Sequence, residues 1–164
     1  MSAFLRRRRT DPLKLHSLLT EQIGRDCFSR AVGGQVRISC LQNRNLVLVV
    51  DDDPGMLRGL QRLLRQHAYE PILFSSAEAF KKRTDIEKAV CVILDINLND
   101  GSGIELRYHL KTDGHSVPVI YMTACENVAV REAALASGCI ALLTKPFSAK
   151  SLIEPLHRAA AGFA

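Results

Sequence analysis

Val90-Cys91-Val92-Ile93-Leu94-Asp95-Ile96-Asn97-Leu98-Asn99-Asp100-Gly101-Ser102-Gly103 is the most sharply patterned segment of the chain. Five apolar residues run together, one carboxylate comes directly after them, and a polar, Gly-rich turn closes the segment. A short continuous apolar run bounded by turn signals reads as a strand buried on both faces, the situation of a parallel sheet. A carboxylate at the C-terminal end of such a strand lies where open α/β sheets bind ligands. Position alone makes Asp95 a candidate functional group.

The same pattern recurs upstream. Residues 46–50 are all apolar and lead directly into Asp51-Asp52-Asp53. Asp53 suits an N-cap and Pro54 the first position of a helix over 54–67, with Leu57, Leu60, Leu63 and Leu64 at helical spacing. A second strand over 69–74 contains Pro71, which places it at a sheet edge. Ser75-Ser76 caps a helix over 77–83 with Phe80 facing inward. After the opening strand, 89–94, come helices and strands over 102–111, 117–122, 127–137 and 139–143. Ser148 caps a last helix over 149–160, with Leu152, Ile153 and Leu156 facing in. Five strand–helix units with short loops predict an α/β fold, a parallel sheet covered on both faces. Right-handed crossovers bring every strand C-terminus to one sheet edge.

The totals agree with this picture. The chain of 164 residues, 47% apolar and 24% charged, can bury a core without disulfides or metal staples. No apolar run approaches the roughly 20 residues that span a bilayer, and no apolar segment comes after Arg6–Arg9 as a signal peptide requires. The five cysteines, Cys27, Cys40, Cys91, Cys125 and Cys139, are odd in number and form no CxxC pair. They read as reduced thiols of a cytoplasmic protein. The net charge of +5 is unevenly spread. Residues 1–45 hold nine basic and three acidic side chains, a net of +6, and the remainder thirteen and fourteen, a net of −1. Residues 1–43 therefore read as a basic N-terminal extension, and 44–164 as the domain proper. Charge gives the domain itself no support as a nucleic-acid binder.

The residues just past the strand ends carry the chemistry. Asp51, Asp52 and Asp53 stand after the first strand, Asp95 after the third, Thr123 after the fourth and Lys145 after the fifth. Two acids at one strand end repel unless a cation relieves them. Clustered oxygens suit Mg²⁺, a hard cation that takes about six oxygen ligands. Mg²⁺ and Lys145 together can neutralise a phosphoryl group, the Thr123 hydroxyl can hydrogen-bond it, and one carboxylate can become an aspartyl phosphate.

The segments Val49-Val50-Asp51-Asp52-Asp53, Ile93-Leu94-Asp95 with Gly103 eight residues on, Thr123-Ala124 and Lys145-Pro146-Phe147 resemble the receiver domain of two-component response regulators, the CheY-like superfamily. The resemblance covers about residues 44–162. It implies a doubly wound five-stranded parallel sheet of flavodoxin-like order 2-1-3-4-5, with helices on both faces. It implies Asp95 as phosphoacceptor and Asp52 as direct Mg²⁺ ligand, with Asp51 acting through water and the Asn97 carbonyl as another ligand. It gives Thr123 as the switch hydroxyl, Lys145 as the partner of the phosphoryl group, and a cis Lys145–Pro146 bond. The implied partners are a sensor histidine kinase or histidine phosphotransfer protein and an unknown downstream protein, and a phosphorylation-dependent homodimer is left open. With no output segment after Ala164, the resemblance is to a single-domain regulator that catalyses only its own phosphorylation and dephosphorylation.

Two positions depart from the family pattern. Leu142 stands three residues before Lys145, where receivers commonly carry an aromatic that rotates inward on activation. Asn99 stands where the loop after Asp95 commonly has proline, so a more mobile loop is expected. Two other readings compete. A haloacid-dehalogenase-like phosphatase would use Asp51-x-Asp53, but it needs a late acidic pair, and Glu154 is the only acid after Lys145. A phosphorylation-independent interaction module on the same fold would draw on Leu142.

Overall fold

Alternation between runs of branched apolar residues and capped amphipathic segments produces a three-layer sandwich in the computed structural model, which describes residues 45–124 and 127–162. The strands are β1 Leu46–Val50, β2 Glu70–Phe74, β3 Cys91–Asp95, β4 Val119–Thr123 and β5 Ala141–Thr144. The helices are α1 Pro54–Gln66, α2 Ala77–Lys81, α3 Gly103–Thr112, α4 Val128–Ala136 and α5 Ala149–Ala160. All pairings within the five-stranded sheet are parallel, in the order β2-β1-β3-β4-β5. The doubly wound α/β fold expected from the sequence is the one observed. Pro71 lies on edge strand β2, opposite Val47. The basic extension read over residues 1–43 lies outside the described residues, Cys27 and Cys40 with it, as does Cys125.

Period-2 alternation divides the core in two. Leu48, Val50, Val92, Leu94, Val119 and Tyr121 face one side, with Phe80 of α2 and Leu106 and Leu110 of α3. Val47, Val49, Cys91, Ile93, Ile120 and Met122 face the other, against Leu57, Leu60 and Leu64 of α1 and Leu152, Ile153 and Leu156 of α5. Burial pushes the Cys91 thiol up to about 12, consistent with a small hydrophobe and not a reactive group. The helix starts are set by side-chain caps. Asp53, Ser76, Ser102, Asn127 and Ser148 each accept a first-turn amide.

The strands end slightly differently from the sequence reading. β3 runs through Asp95 and β4 through Thr123, because the ladder continues to Asp95 opposite Met122 and Thr123 opposite Thr144. Asp95 and Thr123 therefore stand on strand, held by its hydrogen bonds. Beyond β3, Asn97–Leu98 and Gly101–Ser102 pair antiparallel as a small hairpin, and Gly103 opens α3 with its N–H donating to Ile96 O at 3.1 Å. A Cβ at Gly103 would collide with the carbonyl of Asp95. Gly103→Ala is therefore expected to lower stability by about 1–3 kcal/mol through a forced backbone shift, measured by denaturant unfolding. A neutral effect would show that the chain can open there at no cost.

Candidate functional site

The site is assembled at the C-terminal edge from the ends of four strands. Val50 pairs with Leu94, so Asp51 and Asp95 leave adjacent strands side by side. Backbone bonds fix their approach. Asp51 N–H donates to Phe74 O at 3.1 Å, Ile96 N–H to Met122 O at 2.9 Å, and Lys145 N–H to Thr123 O at 2.7 Å. The Lys145–Pro146 bond is cis, as expected.

The Lys145 ammonium bridges the two carboxylates. Its Nζ donates to Asp95 Oδ2 at 2.6 Å and to Asp51 Oδ2 at 2.7 Å. Asp51 is fully buried, Asp95 nearly so, and Thr123 fully buried. The other carboxylate oxygens accept backbone amides, Asp51 Oδ1 from Asp53 at 2.8 Å and Asp95 Oδ1 from Asn97 at 3.2 Å. Burial pushes the Asp51 carboxyl above its ordinary value, with Lys145 and the Asp53 amide opposing that rise. Burial alone would push Lys145 down. Its bonds and charge attraction to Asp51 and Asp95 outweigh burial and hold it above its ordinary value, so it stays an ammonium.

Asp52 is half-buried, and its Oδ2 accepts the Asn99 N–H at 3.0 Å. One oxygen each of Asp51, Asp52 and Asp95 lies within 4.8 Å of the others. Three convergent carboxylates with a single ammonium among them leave a negative excess, and an all-oxygen donor set of this kind fits a hard divalent cation such as Mg²⁺. Asp53 is not in that group. It caps α1, its Oδ1 accepting from Gly55 N–H at 2.6 Å, as the sequence indicated. The site therefore brings together Asp51, Asp52, Asp95 and Lys145, with Thr123 at the adjoining strand end and Asn97 bonded to Asp95.

A match to the response regulator receiver domain family model runs over residues 47–157. The chain belongs to that family. The receiver is 27% identical over 115 residues to the response regulator protein TodT of Pseudomonas putida, covering 70% of this chain and 51% of TodT. It is 34% identical over 106 residues to the heme response regulator HssR of Staphylococcus saprophyticus, covering 65% of this chain and 47% of HssR. The chain thus spans about half the length of these curated relatives. Among solved structures, a response regulator receiver protein from Pseudoalteromonas atlantica superposes with a TM-score of 0.68 at 24% identity, over 73% of this chain and 99% of that one. The FixJ N-terminal structure gives 0.66 at 27% identity, over 73% and 95%. Receivers of this family serve two-component signalling, and among the described residues no helix is long and apolar enough to cross a membrane.

Three features of this receiver escaped the sequence reading. The Tyr121 hydroxyl, pushed up to about 12 by burial, bonds Ser137 Oγ at 2.8 Å and ties β4 to the end of α4. Arg131 of α4 donates to Thr144 Oγ1 at 3.1 Å, one residue before Lys145. The loop expected to be loose is tied through Asn99 and Asp100, the latter accepting Ala77 N–H at 2.9 Å and Glu78 N–H at 3.0 Å. None carries a local signal, because each pairs residues that only the fold brings together.

With its folded value raised above 3.8, ionised Asp51 costs stability, and the cost is absent below 3.8 and grows as pH rises through the folded value. Asp51→Asn should therefore raise the melting temperature in EDTA at about pH 7 and lose that gain towards about pH 4. A destabilised variant at neutral pH would show that the Lys145 pairing outweighs burial.

Proposed function

We propose that this receiver takes a phosphoryl group onto Asp95 from a phosphohistidine presented by a sensor histidine kinase or histidine phosphotransfer protein. The observation that carries the reading is the Lys145 ammonium shared between Asp95 and Asp51, beside Asp52. A carboxylate oxygen of Asp95 attacks phosphorus in line. The O–P bond forms as the N–P bond to the donor imidazole breaks, and the leaving nitrogen keeps the electron pair. Lys145 already lies at Asp95, so no reorganisation is needed to meet charge on the phosphoryl oxygens. Thr123, one residue beyond Met122, the register partner of Asp95, supplies a hydroxyl to a phosphoryl oxygen. Mg²⁺ held by Asp51, Asp52, Asp95 and the Asn97 carbonyl would add double positive charge against the same oxygens.

Phosphorylation then biases a two-state equilibrium in the region after β4 and β5, read by a downstream partner or a second copy. Leu142 cannot relay Thr123 movement by aromatic rotation. It is half-buried against the core, and its register partner is Tyr121. A reading as a phosphorylation-independent module draws on that one substitution. A phosphatase using Asp51 is disfavoured because Asp53, the second acid of its Asp51-x-Asp53 pair, is occupied as the α1 cap, and Asp95 would be left without a role. The working location is the cytoplasm, with residues 1–43 a basic extension to the receiver at 44–164.

Acetyl phosphate with Mg²⁺ should add about 80 Da, one phosphoryl group replacing a proton, and Asp95→Asn should abolish the gain. Lys145→Ala should slow its appearance by about 100-fold or more. Label on Asp51, or none on the wild type, would overturn the assignment.

A further inference from the structure

The hairpin after β3 holds a second layer of bonds around the acidic cluster. Its tip is Asn99-Asp100, between the paired segments Asn97–Leu98 and Gly101–Ser102. The Asn99 backbone N–H donates to Asp52 Oδ2 at 3.0 Å, across 47 residues of sequence. Asp100 anchors the tip from the other side. Its two oxygens take the first two amides of α2, Ala77 at 2.9 Å and Glu78 at 3.0 Å. These amides hold the Asp100 carboxyl below its ordinary value. With both oxygens engaged, Asp100 ties the tip, and with it the adjoining Asn99 amide, to the start of α2.

We propose that the Asn99 backbone N–H is a positioning group for the divalent-cation site, held in place by Asp100. The inference rests on the reading of Asp51, Asp52 and Asp95 as cation ligands. The N–H fixes one oxygen of Asp52 and leaves the second for the cation. The same hairpin carries Asn97, whose own N–H bonds Asp95, so one anchored tip sets Asp52 and Asn97 relative to Asp95. A partner that orients a ligating carboxylate before the metal arrives raises metal affinity. Proline at position 99 would have no N–H to give. The asparagine there therefore matters for its backbone and not for its side chain.

Isothermal titration of the full chain with MgCl₂ tests this. Asn99→Ala keeps the N–H and should bind Mg²⁺ as wild type does. Asn99→Pro removes it and should bind about tenfold more weakly, with Asp100→Ala weakened in the same direction. Melting curves in EDTA, run alongside, show that each variant is folded before metal is added. A folded Asn99→Pro with wild-type affinity would overturn the proposal. Should that variant not fold, unchanged affinity in Asp100→Ala would overturn it equally. Equal loss in Asn99→Ala would also overturn it, since the side chain would then be responsible. A wild type that binds no Mg²⁺ defeats the cation-site reading itself, a result separable from all of these.

Discussion

One ammonium between two buried carboxylates is the interaction on which the site depends. Asp51 and Asp95 leave neighbouring parallel strands with their side chains converging, and neither has much water to screen it. Without a cation between them the edge of the sheet would carry unrelieved repulsion. Lys145 supplies that cation from the end of β5, two strands beyond β3 in the sheet. Its backbone N–H donates to the Thr123 carbonyl, so one hydrogen bond sets the Lys145 backbone against the end of β4. Removing charge from any one of the three alters the balance at the other two.

The fold was legible because the sequence repeats one physical phrase. Apolar runs such as 46–50 and 90–94 cannot alternate with water, so they demand cover on both faces, and the capped segments between them supply it. The site was legible for a related reason: parallel strands deliver their C-terminal residues to a common edge, so Asp51, Asp95, Thr123 and Lys145 could be gathered by counting strands. Asp53 could be set apart as a cap because Pro54 comes next.

The contacts that stayed hidden have no sequence periodicity. That Asp100 caps a helix beginning 23 residues earlier, and that Asn99 reaches Asp52, depends on where the hairpin folds back. The missing proline suggested slack, whereas the amide it frees becomes a tether. Strand ends were displaced by one or two residues for the same reason, since a ladder stops where its neighbour stops. The buried Arg107 belongs here too. Carried on α3, its guanidinium donates to Val117 O at 2.8 Å and to Gly138 O at 3.4 Å, carbonyls that only the fold brings to it.

The division of the core by the sheet has a mechanical consequence. Among the described residues, the core side chains of α2, α3 and α4 pack apart from those of α1 and α5, because two-sided strands stand between them. Rotamers on one flank do not meet those on the other directly, so strain passes between the flanks through the strands they share. The described receiver is in effect two laminates glued to one plate. A surface built on α1 and α5 can keep a constant shape while the α4 flank changes its own.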